Sequence, residues 1–112
     1  MNLLQEAQKE NLLGPLVVQL QKDFTRANIS IRLPDDWETN PDGLQQMVLE
    51  KVYVLLLEDF DGYLNLMYAI DVPERDFKKI TPTDIVAVAG QMSDLIIARE
   101  LQKVRFKKNY GR

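Results

Sequence analysis

The chain has 112 residues and a formal charge of -3, with 46% hydrophobic and 28% charged residues. That composition predicts one soluble globular domain with a modest core and argues against disorder. Cysteine and histidine are both absent, which excludes disulfides, thiol nucleophiles, zinc thiolate sites, histidine-based triads and the Glu-x-x-His di-iron pattern.

In chain order, Asn2 to Leu13 is weakly helical, with Leu3, Leu4, Leu12 and Leu13 separated by polar residues. Gly14-Pro15 interrupts it, because proline inside a helix removes a donor and crowds the preceding turn. Pro15 reads better as the first residue of a second helix, carried by Leu16, Val17, Leu20 and Phe24 and stopped at Asn28 in a left-handed conformation. One kinked helix or two pieces would both satisfy this stretch.

Ile29 to Leu33 alternates apolar and polar residues, which is strand spacing. With no other strand to pair with, it reads as an extended connector whose isoleucines pack onto helices; an edge paired between subunits is the alternative. Pro34 to Thr39 is an acidic loop in which Trp37 plugs the bundle end.

Asn40-Pro41-Asp42 is a helix start: an Asx cap, proline in the first turn and a carboxylate at the positive helix end. Leu44, Val48, Val52, Leu55 and Leu56, then Tyr63, Leu66, Met67 and Ile70, recur at helical spacing through Ile70. Glu58-Asp59-Phe60-Asp61-Gly62 is the flaw in this long helix. After a break at Asp71-Val72-Pro73-Glu74, a short helix is expected from Pro73 to about Lys79. Thr81-Pro82-Thr83-Asp84 then opens a last helix as a capping box, running to about Lys107 through Ile85, Val88, Ala89, Met92, Leu95 and Ile96. The fold class is all-α: a small up-down helical bundle, residues 1–112 as one domain, with two long antiparallel helices and shorter N-terminal helices.

The longest apolar run, Val52 to Leu57, falls far short of the roughly 20 residues needed to cross a bilayer. Met1 to Glu6 lacks a basic region and a cleavage site, so no signal peptide and a cytoplasmic location are expected.

Two acidic stretches invite a calcium-loop test. With Glu38, Asn40, Asp42 and Gly43 at positions one, three, five and six, the closing ligand falls on Leu49. The register through Asp59, Asp61 and Gly62 runs from Leu57 to Tyr68. Both fail the ligand pattern, and neither a metal nor another cofactor is expected.

The apolar arc of the central helix exceeds half its circumference, leaving Glu50, Lys51, Glu58, Asp61 and Asn65 on the wet side. A helix covered on two sides in so small a bundle predicts a homodimer through Tyr53, Leu57, Phe60 and Leu64. Asp59 and Arg99 are polar at positions their helices reserve for core, which predicts a buried polar site, each residue paired, or a helix break that turns Asp59 outward. Expected partners are Arg26, Arg32, Arg75 or Lys103 for Asp59, and Asp94 or Glu100 for Arg99. Gly62 and Gly90 fall at similar depths of the hairpin, which suggests a close backbone crossing.

The last ten residues carry five cations and no acid, leaving the remainder at -8. Lys103, Arg105, Lys107, Lys108 and Arg112, interleaved with Phe106 and Tyr110, are candidate contacts to a phosphate backbone; the alternative is a solvated helix end with Val104 and Phe106 in the core. The expected function is non-enzymatic: an accessory protein acting by self-association and binding to a protein partner. The alternatives are a nucleic-acid accessory protein using the basic tail, and an enzyme or cation binder using Glu58, Asp59 and Asp61.

Overall fold

The computed structural model describes residues 2–77 and 84–110. Among these the chain forms six helices and no strand: α1 (Leu3–Lys9), α2 (Leu13–Arg26), α3 (Pro41–Glu58), α4 (Phe60–Ile70), α5 (Glu74–Phe77) and α6 (Ile85–Tyr110). It is the all-α bundle that the apolar spacing predicts, built around the longest helix. The 26 residues of α6 account for the long dimension of a body measuring 39 × 28 × 26 Å.

The N-terminal stretch is two helices, not one kinked one. Asn2 and Gln5 exchange hydrogen bonds in a capping box that starts α1. Asn11, at φ 60°, then ends it. Pro15 falls in the first turn of α2, where the missing N–H has no helical partner to lose.

Three helix ends share one device. Asn11, Asn28 and Asp71 adopt left-handed backbone, and the next residue donates back across the turn: Leu12 to Ala7, Ile29 to Phe24 and Val72 to Met67, at 2.8, 2.9 and 3.0 Å. These are Schellman closures in which a short polar side chain takes the place glycine usually fills. The residue after each turn is apolar: Leu12 and Val72 are buried, and Ile29 packs against the core.

Residues 29–33 form the expected connector. Ile29, Ile31 and Leu33 pack against the core while Ser30 and Arg32 face solvent. Trp37 is half-buried against the same core. Asp36 accepts from the Asn40 amide at 3.2 Å, which orients the Asn40 oxygen to receive the Gly43 N–H at 2.9 Å. Asn40 is therefore the cap read from the sequence, itself held by a second side chain.

The long helix expected from Asn40 to Ile70 is divided. Asp59, at φ -151° and ψ 73°, ends α3 and starts α4, and its carboxylate accepts the Gly62 N–H at 2.9 Å. Leu44, Val48, Val52 and Leu55 of α3 and Tyr63, Leu66, Met67 and Ile70 of α4 are buried. Each segment keeps its own stripe.

The break overturns the proposed glycine crossing. A Cβ on Gly62 would meet the Asp59 carboxylate at 2.4 Å, and one on Gly90 would meet nothing within 4 Å. Gly62 is small to admit its own cap, and no backbone approaches Gly90. The levels differ as well: Gln45 of α3 donates to Ser93 and Asp94 at mid-α6, at 3.2 and 3.1 Å, whereas an unbroken hairpin would set Gln45 opposite the far end of α6.

The expected α6 start falls partly outside the described residues, with Thr81, Pro82 and Thr83. Within them, Asp84 accepts the Ala87 N–H at 3.2 Å and begins the helix. Lys78 and Lys79, the expected end of the short helix, also lie outside, and Phe77 closes the described part of α5 as a buried ring. The core seam of α6 is Ala89, Met92, Ile96, Ile97, Leu101 and Val104.

Candidate functional site

The four residues assigned to an interface divide by depth. Leu57 and Phe60 are 52% and 51% exposed, while Tyr53 and Leu64 are half-buried against the core. Val54 and Tyr68 extend the apolar surface at 44% and 52%. Phe60 is the first residue of α4, so the break at Asp59 presents its ring. That ring lies 5.4 Å from Tyr63, Tyr63 meets Phe77 edge-on at 6.5 Å, and Phe77 meets Tyr68 edge-on at 5.6 Å. An aromatic run thus passes from the surface through the core and back out. Glu58, Asp59 and Asp61 are exposed beside it. The Tyr63 hydroxyl is buried without a hydrogen-bond partner among the described residues, and burial pushes its pKa up.

Asp59 and Arg99 do not form a buried polar site; for Asp59 the other expected outcome holds, a helix break that turns it outward. Asp59 is exposed because its backbone leaves the helix, so a continuous wheel that sets it between Val52, Leu55, Leu66 and Ile70 does not apply. None of its four expected cationic partners reaches it; its recorded bond is to the Gly62 N–H. Arg99 turns away from Asp94 and Glu100. Its Nε donates to the Asp71 carbonyl at 3.2 Å, one terminal nitrogen to the Asp71 carboxylate at 3.1 Å, and the other to Gln102 at 2.8 Å. Arg99 therefore clamps the left-handed turn that ends α4, at the negative end of that helix.

The basic C-terminal segment is helical through Tyr110, and its cations part company. Arg105 faces α1, where it forms a two-pronged pair with Glu10 and lies 3.8 Å from Glu6. Its hydrogen bond holds the Glu10 carboxyl below the usual carboxylate range. Lys103 and Lys107 face α2. Lys108 is exposed, and Arg112 lies outside the described residues. Val104 is buried, whereas Phe106 is 62% exposed.

Between α2 and α6 lies a polar cluster that the sequence reading missed. Asp23 and Glu100 are each 0% exposed. The Lys103 ammonium lies 2.7 Å from Asp23 and 3.3 Å from Glu100. Gln19 donates to Asp23 at 3.1 Å and accepts from Lys107 at 2.6 Å, while Arg26 stands 3.6 Å from the other Asp23 oxygen. The pairs Gln19–Lys107 and Asp23–Lys103 run in opposite chain order, so α2 and α6 are antiparallel.

Two acids share one close ammonium, and burial separates their behaviour. Burial pushes the Glu100 carboxyl up to about 8, with neighbouring Asp23 adding to the rise and Lys103 opposing it. Burial also favours protonated Asp23, but the neighbouring Glu100, Lys103 and Gln19 together outweigh it and hold that carboxyl below its usual value. With a value near 8, Glu100 keeps its proton near neutral pH, and neither of its buried oxygens has a hydrogen-bond partner among the described residues. A signal was present in the sequence: Asp23 lies three residues after Leu20 and Glu100 four after Ile96, both at core spacing.

Over this cluster opens a groove of about 520 Å³ lined by Lys22, Arg26, Arg99, Lys103 and Lys107, completed by Phe106 and two glutamines. Among the described residues, no cluster of three acidic side chains is placed to hold a metal ion, and no helix is long and apolar enough to cross a membrane. No protein-family model, characterised protein or solved structure matches the chain.

Proposed function

We propose that this chain acts by association rather than catalysis, as a small helical accessory protein whose α3–α4 face seats a second copy of itself. The observation that carries this reading is the half-exposure of Leu57, Phe60 and Tyr68, with Val54, around one helix break. Aromatic side chains present roughly 150–250 Å² each, so half-exposure of four apolar groups amounts to roughly 300–400 Å². That is the size of the largest apolar patch on a typical monomer, which is often a functional one. It can form the centre of a standard interface of about 800 Å² per partner, with half-buried Tyr53 and Leu64 supplying part of the remainder. A two-fold contact uses the same patch on both chains and closes on itself.

Sedimentation over a concentration series tests the proposal. The chain is expected to move from its 13.0 kDa monomer toward twice that mass, and Phe60→Asp combined with Leu57→Asp should keep it monomeric with its helical content intact. A monomer persisting at high micromolar concentration overturns the reading.

A further inference from the structure

A second surface has a different chemistry. The groove between α2 and α6 gathers five of the chain's fourteen cations, with no carboxylate on its lining, in a protein whose overall charge is -3. Three acids touch those cations from below or beside them: Asp23, Glu100 and Asp71. Glu100 is buried and keeps its proton near neutral pH, so only Asp23 and Asp71 offset charge, and the groove is net positive. Lys22 pairs with no carboxylate among the described residues, and the recorded partner of Lys107 is the neutral Gln19 amide. Their two ammonium charges are uncompensated, on opposite walls of one groove.

The aromatic component narrows the ligand. Phe106 lies between Lys103 and Lys107 in sequence, lines the groove and is 62% exposed. Its neighbour Tyr110 continues the surface with ring centroids 5.0 Å apart. Lysines act as flexible point charges toward phosphate, and an aromatic face stacks on any base. A volume of about 520 Å³ falls within the roughly 300–1,000 Å³ of small-ligand sites.

We propose that this groove binds a nucleotide, its phosphates between Lys22 and Lys107 and its base against Phe106. The site is separate from the α3–α4 face, and its occupancy does not depend on the association proposed there. The phosphate-and-base chemistry has two sources, a free nucleoside triphosphate or a nucleotide within a single strand, and one titration distinguishes them.

The whole chain is titrated calorimetrically at low salt with adenosine triphosphate, with inorganic triphosphate and with a ten-residue thymidine oligonucleotide. Adenosine triphosphate is expected to bind more tightly than inorganic triphosphate. Lys22→Glu should weaken every probe by about ten-fold, the loss of one phosphate contact. Phe106→Ser should weaken the two base-bearing probes by a similar factor and leave inorganic triphosphate unchanged. Both residues are exposed, so the variants are expected to keep wild-type circular dichroism. Tighter binding of adenosine triphosphate assigns the site to free nucleotide, and tighter binding of the oligonucleotide assigns it to a strand. The proposal is overturned if no probe binds at millimolar concentration, if Lys22→Glu is silent, or if inorganic triphosphate binds as well as adenosine triphosphate with no effect of Phe106→Ser.

Discussion

Replacing Glu100 with glutamine should abolish a pH dependence of stability that the buried cluster imposes. The folded carboxyl, 0% exposed and beside Asp23, releases its proton only near 8, against an ordinary value of 4.5. At about 1.4 kcal/mol per pKa unit, the difference corresponds to roughly 5 kcal/mol, a large fraction of the roughly 5–15 kcal/mol that holds a domain together. Between these values the folded chain binds more protons than the unfolded one, so stability falls as pH rises from about 4.5 to about 8. Asp23 acts in the opposite sense. Its lowered folded value gives stability that is present above its ordinary 3.8 and lost as pH falls through that lower value. The wild-type chain should therefore be most stable in mild acid. Glutamine has nearly the same shape and cannot ionise. In urea melts followed by far-ultraviolet circular dichroism from pH 5 to 9, Glu100→Gln should match wild type within about 1 kcal/mol at pH 5 and exceed it by several kcal/mol at pH 9. A wild-type profile that is flat over this range, or a variant with the same slope, refutes the assignment.

The two helix glycines should respond with opposite signs in thermal melts. Gly90→Ala, with open space around its Cβ, is expected to stabilise by up to about 1 kcal/mol, whereas Gly62→Ala displaces the Asp59 cap and should cost about 1 kcal/mol. Asp59→Ala should cost a similar amount and Asp59→Asn much less, because asparagine caps nearly as well; equal losses would show that the cap is unimportant. Tyr63→Phe removes a buried hydroxyl with no recorded partner and should be neutral or stabilising by about 1 kcal/mol in the same melts; a clear loss would mean that the hydroxyl is satisfied. A two-fold contact at the α3–α4 face brings Glu58, Asp59 and Asp61 of both copies toward one another, so raising salt from 50 to 500 mM should tighten the dimer in sedimentation. Weakening by salt would contradict that geometry.

Features set by a few adjacent residues were legible in the sequence. Asn40-Pro41 marked the start of α3, Asn28 the end of α2, and the alternation at 29–33 a connector that packs down without pairing. The acidic interruption at 58–62 was visible, and of its two readings, Asp59 in the core of a continuous helix or turned outward by a break, the second holds. The cap that breaks the helix also resets its phase. Asn11 escaped notice because the following Gly14-Pro15 looked like the stronger boundary. The cations of the basic tail divide for a geometric reason: residues two apart on a helix point roughly 200° apart, so Lys103 and Arg105 serve different neighbours. Asp23 and Glu100 were hardest, since a buried carboxylate is tolerable only through its partners, and Lys103 lies 80 positions from Asp23.

The pairing of Arg105 with Glu10, 95 positions apart, bears on how the chain reaches its final form. Helical proteins owe their speed to local contacts, yet α1 and α2 bury their apolar faces partly against α6, which is made well after them. At translation rates of about 5–20 residues per second, Glu10 precedes Arg105 by roughly 5–20 s. During that interval α1 and α2 lack the part of their packing that α6 supplies. On the ribosome α1 and α2 can already pack against each other and against α3 and α4, while the faces they turn to α6 close only after that helix has been made.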